Sequence, residues 1–335
     1  MELRHNALEI SFPEIHKDAV LHIDFQRTLR IPDDDRDYSL PPGLGRFPLR
    51  HVDDFAGRIP APWPLHGGVM LPMYQAEAMW LNFTAPCDYP FAVKVATGKI
   101  NAVTGEPWAD GLHREPQDYL SIPEQPWLDG YCVEKGIIRQ FVAMPLGAGY
   151  SAEEQLTGEA THGGLQLAIY PLKAEVWERL LAERREGYCL EDRSMAAPMM
   201  CCEARTGFDM GLAPGGRMRQ EIYDDPFQGA DWDTSHRSRS FVHIANSMIW
   251  RQITGEEPPT VPPTAAEYTR AGLPWFDWYA EQPALNGAER LKGLSSVHQL
   301  GTKKGEVPLP ENASVVPEHV VLLSHPDGLA REGDF

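Results

Sequence analysis

The sequence lacks the long apolar segments and regularly spaced cysteines that mark membrane and secreted proteins. No apolar run approaches the roughly 18 uninterrupted residues that a transmembrane helix needs, and the N-terminal residues show no secretory signal. The 5 cysteines are odd in number and irregularly spaced, which does not suit a disulfide framework and fits a reducing compartment. We therefore expect a cytoplasmic protein that does not enter a membrane.

Positive charge is also scarce in this sequence. The 30 Lys and Arg residues face 48 Asp and Glu residues, which gives a net charge of −18. Such a surface repels the phosphates of nucleic acids and anionic lipids. We therefore expect no nucleic-acid partner and no membrane partner, whereas a small-molecule ligand remains compatible with the charge.

Catalytic and metal-binding motifs of recognised spacing are missing as well. The sequence has no Walker or GxGxxG pattern and no HxH, HExxH or CxxC pattern, so it indicates no particular cofactor. A segment rich in soft ligands, with Cys201, Cys202 and Met199, would suit Cu(I). The alternative is that these residues fill a core, because adjacent cysteines fit one tetrahedral site poorly.

What the 335 residues do contain is 42% hydrophobic residues, enough for a large core, interrupted by 30 Pro and 29 Gly. Strand-like runs separated by turn residues recur between Tyr89 and Tyr170. We predict an α+β protein with a mainly antiparallel β body at residues 1–281, few helices, and an extended C-terminal arm at residues 282–335. Division into two domains near Lys173 is the alternative.

Helices are predicted at few places. Apolar residues spaced by three and four indicate one helix over residues 73–83 and another over Lys173–Arg185, which Gly187 would end. A capping box that begins at Thr264 predicts a further helix start. Residues 192–200 show no periodicity, and we predict an exposed loop there.

One short pattern occurs three times in the sequence. A strand-like segment begins with Phe91, Phe141 or Phe241, and each is followed by a hydrophobic residue and Thr-Gly-Glu, at residues 104–106, 157–159 and 254–256. Glycine in such a turn is free to take a positive φ. The pattern predicts a shared supersecondary unit, and chance similarity is the alternative.

The glycine-rich segment at residues 211–220 is the most conspicuous candidate for binding an anion. Clustered glycines free backbone N–H groups, and arginine binds anions through two parallel hydrogen bonds. The candidate residues are Gly215, Gly216, Arg217 and Arg219. The alternative is a Gly-Gly hairpin turn that leads into a strand over residues 218–223.

A second set of candidates consists of polar residues that lie within or beside apolar strands or glycine turns, where a polar pocket would form. For catalysis these are Asp129, Arg139, Gln140, His162 and Gln166. Because His162 follows a pair of glutamates, a carboxylate–histidine pair there would suit acid–base chemistry. The alternative is that these side chains are solvated loop ends, and His243, between apolar strand residues, is predicted to be structural.

Three segments, at residues 125–130, 139–147 and 211–220, resemble those of an uncharacterised family of bacterial and fungal soluble proteins. The resemblance covers most of residues 20–280. It implies that this region is a natural unit. It implies no activity, cofactor or catalytic residue.

Two functions are compatible with these features. The densest aromatic cluster, at residues 273–279, and the polar arm with its apolar tip suit docking between subunits, which predicts a cytoplasmic binding or assembly protein that forms a homo-oligomer. The alternative is an enzyme that acts on a small anionic substrate through the polar pocket. The missing catalytic motifs favour the first function.

Overall fold

The computed structural model describes residues 1–34, 36–186, 209–278 and 282–323. Its strands, in chain order, are β1 (Glu2–Arg4), β2 (Ala7–Ser11), β3 (Val20–Thr28), β4 (Asp37–Tyr38), β5 (Gly43–Arg46), β6 (Arg50–His51), β7 (Val69–Met73), β8 (Ala78–Thr84), β9 (Phe91–Thr97), β10 (Ile100–Asn101), β11 (Leu120–Ile122), β12 (Trp127–Leu128), β13 (Gly130–Glu134), β14 (Ile137–Pro145), β15 (Leu165–Pro171), β16 (Met210–Arg219), β17 (Ser238–Asn246), β18 (Trp275–Asp277) and β19 (Val320–Leu322). Its helices are α1 (Pro62–His66), α2 (Ala152–Thr157), α3 (Ala174–Glu186), α4 (Ser247–Thr254), α5 (Ala265–Arg270), α6 (Glu289–Lys292) and α7 (Val297–Lys304), with 3-10 turns at Asp53–Phe55, Gly229–Asp231 and Pro310–Asn312.

Two large sheets form the body of the molecule. The first has the order β1-β2-β3-β8-β14-β16-β4, with β5, β12 and β13 attached to β3, β8 and β14. The second has the order β10-β9-β15-β17-β7-β6, with β11 attached to β9. Most neighbouring strands are antiparallel, and β16 with β4 and β17 with β7 are parallel pairs. The predicted α+β class with a mainly antiparallel body is confirmed.

Apolar side chains from both sheets form one continuous core cluster. In β3, Leu21, Ile23 and Phe25 are fully buried, whereas His22 and Gln26 are partly exposed. Alternation of this kind places one face of a strand in the core and the other towards polar surroundings. The alternation of apolar and polar residues along β3 therefore corresponds to the face that the strand turns to the core, although Asp24 on the other face is also buried.

The helix predicted over residues 73–83 is wrong. Ala76 has a positive φ of 67°, and the chain then continues as β8, which pairs with β3 and β14. Met79, Leu81 and Phe83 belong to the core, so the apolar residues that also fit a helical spacing alternate along a strand. Pairing with two neighbouring strands outweighs the helical propensity of the segment.

The glycine-rich segment is not a loop, and the hairpin turn predicted for it is also wrong. Gly215 and Gly216 lie inside β16, which stands between β14 and the short edge strand β4 in the first sheet. A β-carbon on Gly216 would lie 2.2 Å from the Pro32 carbonyl oxygen, and one on Gly215 would lie 2.5 Å from Val142 Cγ2. These glycines allow neighbouring chain segments to approach closely, rather than allowing the chain to turn.

The later helix predictions are confirmed. α3 matches the helix predicted over Lys173–Arg185, and Thr264 forms a capping box with Glu267 at the start of α5. Gly187 and the loop predicted at residues 192–200 lie outside the described residues. In the arm, α6 contacts β13, α7 contacts β16, and β19 pairs in parallel with β18. The described part of the arm therefore packs on the body of its own chain.

The three Thr-Gly-Glu segments adopt the same turn. Gly105, Gly158 and Gly255 have φ angles of 72°, 76° and 78°. In each copy the Glu N–H donates to the Thr Oγ1, at 3.3, 3.0 and 3.1 Å respectively. The second and third copies end α2 and α4. A common local structure therefore accompanies the sequence pattern.

Candidate functional site

A short loop at residues 29–33, directly after β3, is held in place by β14 and β16. The side chain of Gln140 donates from Nε2 to the Leu29 carbonyl oxygen at 2.9 Å, and its Oε1 accepts from the Ile31 N–H at 3.0 Å. Gly216 lets Pro32 approach β16 closely. Because a fully buried amide satisfies the loop backbone, the loop has a fixed position from which its side chains project.

The loop carries a buried arginine that is only partly hydrogen-bonded. Arg30 is 2% exposed, and its Nη2 donates to Asn312 Oδ1 at 2.7 Å. Its Nε and Nη1 have no hydrogen-bond partner among the described residues. Burial lowers the pKa of Arg30, and the charges of Asp33 and Glu311 oppose that effect. A guanidinium is not deprotonated in proteins, so a positive charge remains buried here.

The carboxylate nearest in sequence to Arg30 is engaged by other groups. Asp33 Oδ1 lies 3.7 Å from Arg139 Nη1, and its Oδ2 accepts from the His298 N–H at 2.9 Å. Arg139 also donates to the Gly215 carbonyl oxygen at 3.0 Å. Asp33 therefore neutralises Arg139 and fixes the arm, while no hydrogen bond joins it to Arg30 among the described residues.

Part of the C-terminal arm covers this loop. We call residues 295–314, which include α7, the strap. The Tyr150 hydroxyl donates to Glu306 Oε2 at 2.6 Å, and Lys304 Nζ lies 3.7 Å from the centre of the Tyr150 ring. Burial is the largest cause of a raised pKa of Tyr150, and the hydrogen bond to Glu306 raises it further. The hydroxyl therefore keeps its proton at neutral pH. Glu311 Oε2 is buried without a hydrogen-bond partner among the described residues.

A cavity of about 30 Å³ lies between the strap and the body. This volume suits one or two water molecules or a monatomic anion. Tyr150 and Asn312, the partner of Arg30, both line it. The full lining is Gln75, Met144, Tyr150, Val297, His298, Gly301, Thr302, Glu306, Val307, Pro308, Leu309 and Asn312.

A wider surface groove of about 610 Å³ offers a contrast, because its buried charge is already saturated. Asp225, on its lining, accepts from the Tyr119 hydroxyl at 2.5 Å and from Trp232 Nε1 at 2.9 Å. Arg114 Nη1 lies 3.8 Å from the same carboxylate. No buried side-chain polar atom without a partner lies on the described lining of this groove. Arg30 does not line the cavity beneath the strap either, but its guanidinium is a buried charge with two unpartnered nitrogens among the described residues, which makes it the stronger candidate site.

A second polar centre lies at the edge of the second sheet. Glu153, 3% exposed, accepts the backbone N–H groups of residues 161–163 at 2.8 to 3.0 Å and so fixes the loop that carries His162. His162 Nδ1 is buried without a partner among the described residues, and burial lowers the pKa of His162. Burial raises the pKa of Asp209 to about 6, although a hydrogen bond from Trp63 acts to lower it. No cavity adjoins His162 in the described pockets.

The structure brings together some of the residues predicted as site residues. Arg139, Gln140 and Gly216 contact the loop at residues 29–33, and Gly215 lies behind them and accepts a hydrogen bond from Arg139. Asp129 belongs to the same sheet region: its N–H donates to Gln220, and its carbonyl oxygen accepts from Phe141. Its carboxyl is buried with Oδ2 unpartnered among the described residues.

Other predicted residues lie elsewhere. Arg217 pairs with Asp37 and Glu134 at the surface, and Arg219 pairs with Asp277. His162 and Gln166 are at the second sheet, where Gln166 bonds the backbone of Lys99 and Gly163. His243 is buried and contacts the Gly67 carbonyl oxygen through Nε2, at 3.1 Å. Cys201, Cys202 and Met199 lie outside the described residues.

The sequence analysis did not identify Arg30, Tyr150 or Asn312. A signal for Arg30 is present, because it stands between the apolar residues Leu29 and Ile31, as polar residues in a buried segment do. For Asn312 there is no local signal, since its role depends on a contact across 282 residues of sequence.

Comparison of the chain with protein families, curated proteins and solved structures finds no match. Within the described ranges, no helix is both long and apolar enough to cross a bilayer. The same ranges contain no group of three His, Cys, Asp or Glu side chains arranged to hold a metal ion.

Proposed function

We propose that the protein binds a small anion at Arg30, beneath the strap. The observation that carries this proposal is the Arg30 guanidinium, 2% exposed and with Nε and Nη1 unpartnered among the described residues. A buried charge without a paired counter-charge lowers the stability of the folded protein by roughly several kcal/mol. Arginine is also the side chain best suited to bind carboxylates and phosphates. An anion that enters the site would recover that cost.

The same site serves the alternative of an enzyme that acts on a small anionic substrate. Arg30 would hold the negative group, and Tyr150 would stand beside it as a donor. Because the raised pKa of Tyr150 keeps its hydroxyl protonated, it can donate a hydrogen bond to the bound anion in place of Glu306. Binding is the premise of this second function, so one experiment tests both.

The experiment measures how anions affect thermal stability. Sodium acetate, chloride and phosphate are compared at constant pH and ionic strength for the wild type, Arg30→Met and Arg251→Met. Arg251 is an exposed arginine whose surface pair with Glu257 serves as the matched control. A specific ligand at 100 times its Kd stabilises a protein by about 2.7 kcal/mol. We expect saturable stabilisation of the wild type and of Arg251→Met, and only unspecific salt effects in Arg30→Met. Equal responses in all three proteins would overturn the proposal.

Assembly into a homo-oligomer is a second candidate, which the apolar tip of the described arm favours. Four of its large apolar side chains are at least 43% exposed: Val316, Val320, Leu322 and Leu323. Strand β19 pairs only with β18 among the described strands, so it forms a sheet edge beside these side chains. Native mass spectrometry of the full chain and of a V320S/L322S variant tests this candidate. We expect the variant to lose subunits, and an unchanged mass would argue against assembly through this edge.

We also propose a cytoplasmic location. The cysteines that the structure describes, Cys87 and Cys132, are free thiols. Burial raises the pKa of Cys132 to about 12, so this thiol stays protonated and inert. Fractionation of cells that express the protein checks the proposal, and recovery in a secreted or membrane fraction would contradict it.

A further inference from the structure

The strap presents to the body the kind of group that the proposed site would bind. Glu306 accepts the Tyr150 hydroxyl at 2.6 Å, and Asn312 accepts from Arg30 at 2.7 Å. Glu311 has a buried oxygen without a described partner, and its charge acts on Arg30. Two carboxylates and one amide of the chain itself therefore face the donors of the body.

Several polar contacts hold the strap on the body. Gln155 exchanges two hydrogen bonds with the backbone of Ser295, at 2.9 and 3.0 Å, and His298 is bound through its N–H to Asp33. Glu306 is an exposed residue that contacts the body through its carboxylate. Polar interfaces between parts of a chain exchange with solvent and ligands more readily than apolar ones.

The most deeply buried apolar residue of the strap lies near its beginning, next to His298, whose N–H binds Asp33. Val297, at the start of α7, is 2% exposed and belongs to a core cluster with Met144 and Tyr150. The residues after α7 are mostly exposed. Leu309 also packs on this cluster, as a partly buried residue, so release of residues 306–312 separates one apolar contact besides the polar ones, while Val297 keeps α7 attached to the body.

We infer that the Arg30 site takes a small carboxylate, and that the strap competes with this ligand through Glu306 and Asn312, so that the closed strap is an autoinhibited state. This inference rests on the proposed anion site. Arg30 is 2% exposed and its Nη2 is bonded to Asn312, so a carboxylate reaches the guanidinium only when the strap yields. The observed affinity is then the intrinsic affinity reduced by the fraction of molecules with an open strap.

The first test measures acetate binding by isothermal titration calorimetry. The proteins are the wild type, Glu306→Ala, Asn312→Ala and Glu318→Ala, all as the full chain. Glu318 is an exposed carboxylate of the same arm, outside the strap, so its substitution changes the net charge as Glu306→Ala does. Loss of a hydrogen bond that closes the strap should raise acetate affinity about tenfold in the first two variants. Glu318→Ala should match the wild type.

A second readout uses the wild type alone and does not depend on the folding of a variant. Amide hydrogen exchange is measured with and without saturating sodium acetate. We expect exchange in residues 306–312 to accelerate with acetate, because the displaced strap loses its contacts, while β14 stays protected. Sodium phosphate serves as the comparison anion, and a larger effect of phosphate would overturn the choice of a carboxylate.

The two proposals fail in different ways. If acetate binds the wild type and Glu306→Ala with equal affinity and leaves the exchange of residues 306–312 unchanged, the anion site stands and the competing strap is refuted. If acetate binds none of the four proteins, the anion site itself is refuted. Binding that is weak in the wild type and strong in both strap variants would establish the competition.

Discussion

Two buried arginines, three residues apart, stand in opposite situations. Arg27 is 1% exposed and Arg30 is 2% exposed. Arg27 donates from Nε to Glu77 Oε1 at 3.0 Å, its Nη2 reaches the Thr260 carbonyl oxygen, and its guanidinium lies 5.8 Å from the centre of the Phe47 ring. Arg30 has one described hydrogen bond, to an amide. The first arginine has the environment of a structural ion pair. The second forms no ion pair in contact with a carboxylate among the described residues, although the charges of Asp33 and Glu311 act on it.

A buried arginine differs from a buried carboxyl group because it cannot become neutral. A buried carboxyl without a counter-charge can keep its proton, as Asp129 shows, where burial raises the pKa to about 8. A guanidinium has no such route to neutrality. An unpartnered buried arginine is therefore stronger evidence for a missing anion than an unpartnered buried carboxyl is for a missing cation.

Loss of the paired arginine should have the largest effect on stability. Arg27→Met leaves Glu77 buried without its partner, which typically costs about 3–5 kcal/mol. Urea denaturation at pH 8 measures the free energy of unfolding. Arg251→Met, which breaks only the surface pair with Glu257, should change it by less than about 0.5 kcal/mol. A similar small loss in both variants would mean that the Arg27–Glu77 pair is not structural.

The pH dependence of stability should reveal the neutral Asp129. Its pKa is raised from 3.8 to about 8, chiefly by burial. Between these values the folded protein holds a proton that the unfolded chain has released, so this group makes stability fall as pH rises from about 4 to about 8. Asp129→Asn should remove this part of the fall. The exposed Asp224 gives the control variant, Asp224→Asn, in which stability should depend on pH as in the wild type. If stability depends on pH in the same way in Asp129→Asn, Asp129 is already ionised in the wild type.

Loss of the unpaired arginine should have the smallest effect. Arg30→Met removes an unpaired buried charge, which favours folding, together with one hydrogen bond, which opposes it, so at low salt the variant should be less stable than the wild type by no more than about 1 kcal/mol, or more stable. The difference in free energy of unfolding between Arg27→Met and Arg30→Met should narrow as acetate is added. Arg27→Met keeps Arg30 and is stabilised by the anion, whereas Arg30→Met is not. A loss at low salt as large as that of Arg27→Met would place Arg30 among the structural ion pairs.

The sequence predicted the sheets better than it predicted the chain between them. The strand-like runs predicted between Tyr89 and Tyr170 correspond to β9, β14 and β15, which belong to the antiparallel body. The segment before β8 failed, because its apolar spacing fits both a helix and a strand, and only pairing with β3 and β14 decides between them. The glycines of β16 failed for a related reason: close contact with Pro32 is a tertiary property that a glycine-rich sequence does not distinguish from a turn.

The candidate site was predictable only in part. Arg139 and Gln140 were recognised as polar residues in an apolar strand, and both support the loop beneath the strap. Arg30 satisfies the same criterion. Its pairing with Asn312 does not follow from any local pattern, because the arm reaches the loop only through the folding of the whole chain. Long-range contacts of this kind carry no periodic signal in the sequence.

The most direct measurement observes Arg30 itself. The ¹H–¹⁵N resonance of its Nε–H, assigned by its absence from the spectrum of Arg30→Met, is followed while sodium acetate replaces sodium sulfate at constant ionic strength. The account predicts a saturable shift of this resonance, while the Nε–H resonance of Arg27, already bonded to Glu77, stays in place. An Arg30 resonance that does not move, under conditions where exposed arginines respond to the salt, would contradict the claim that Arg30 is an anion site.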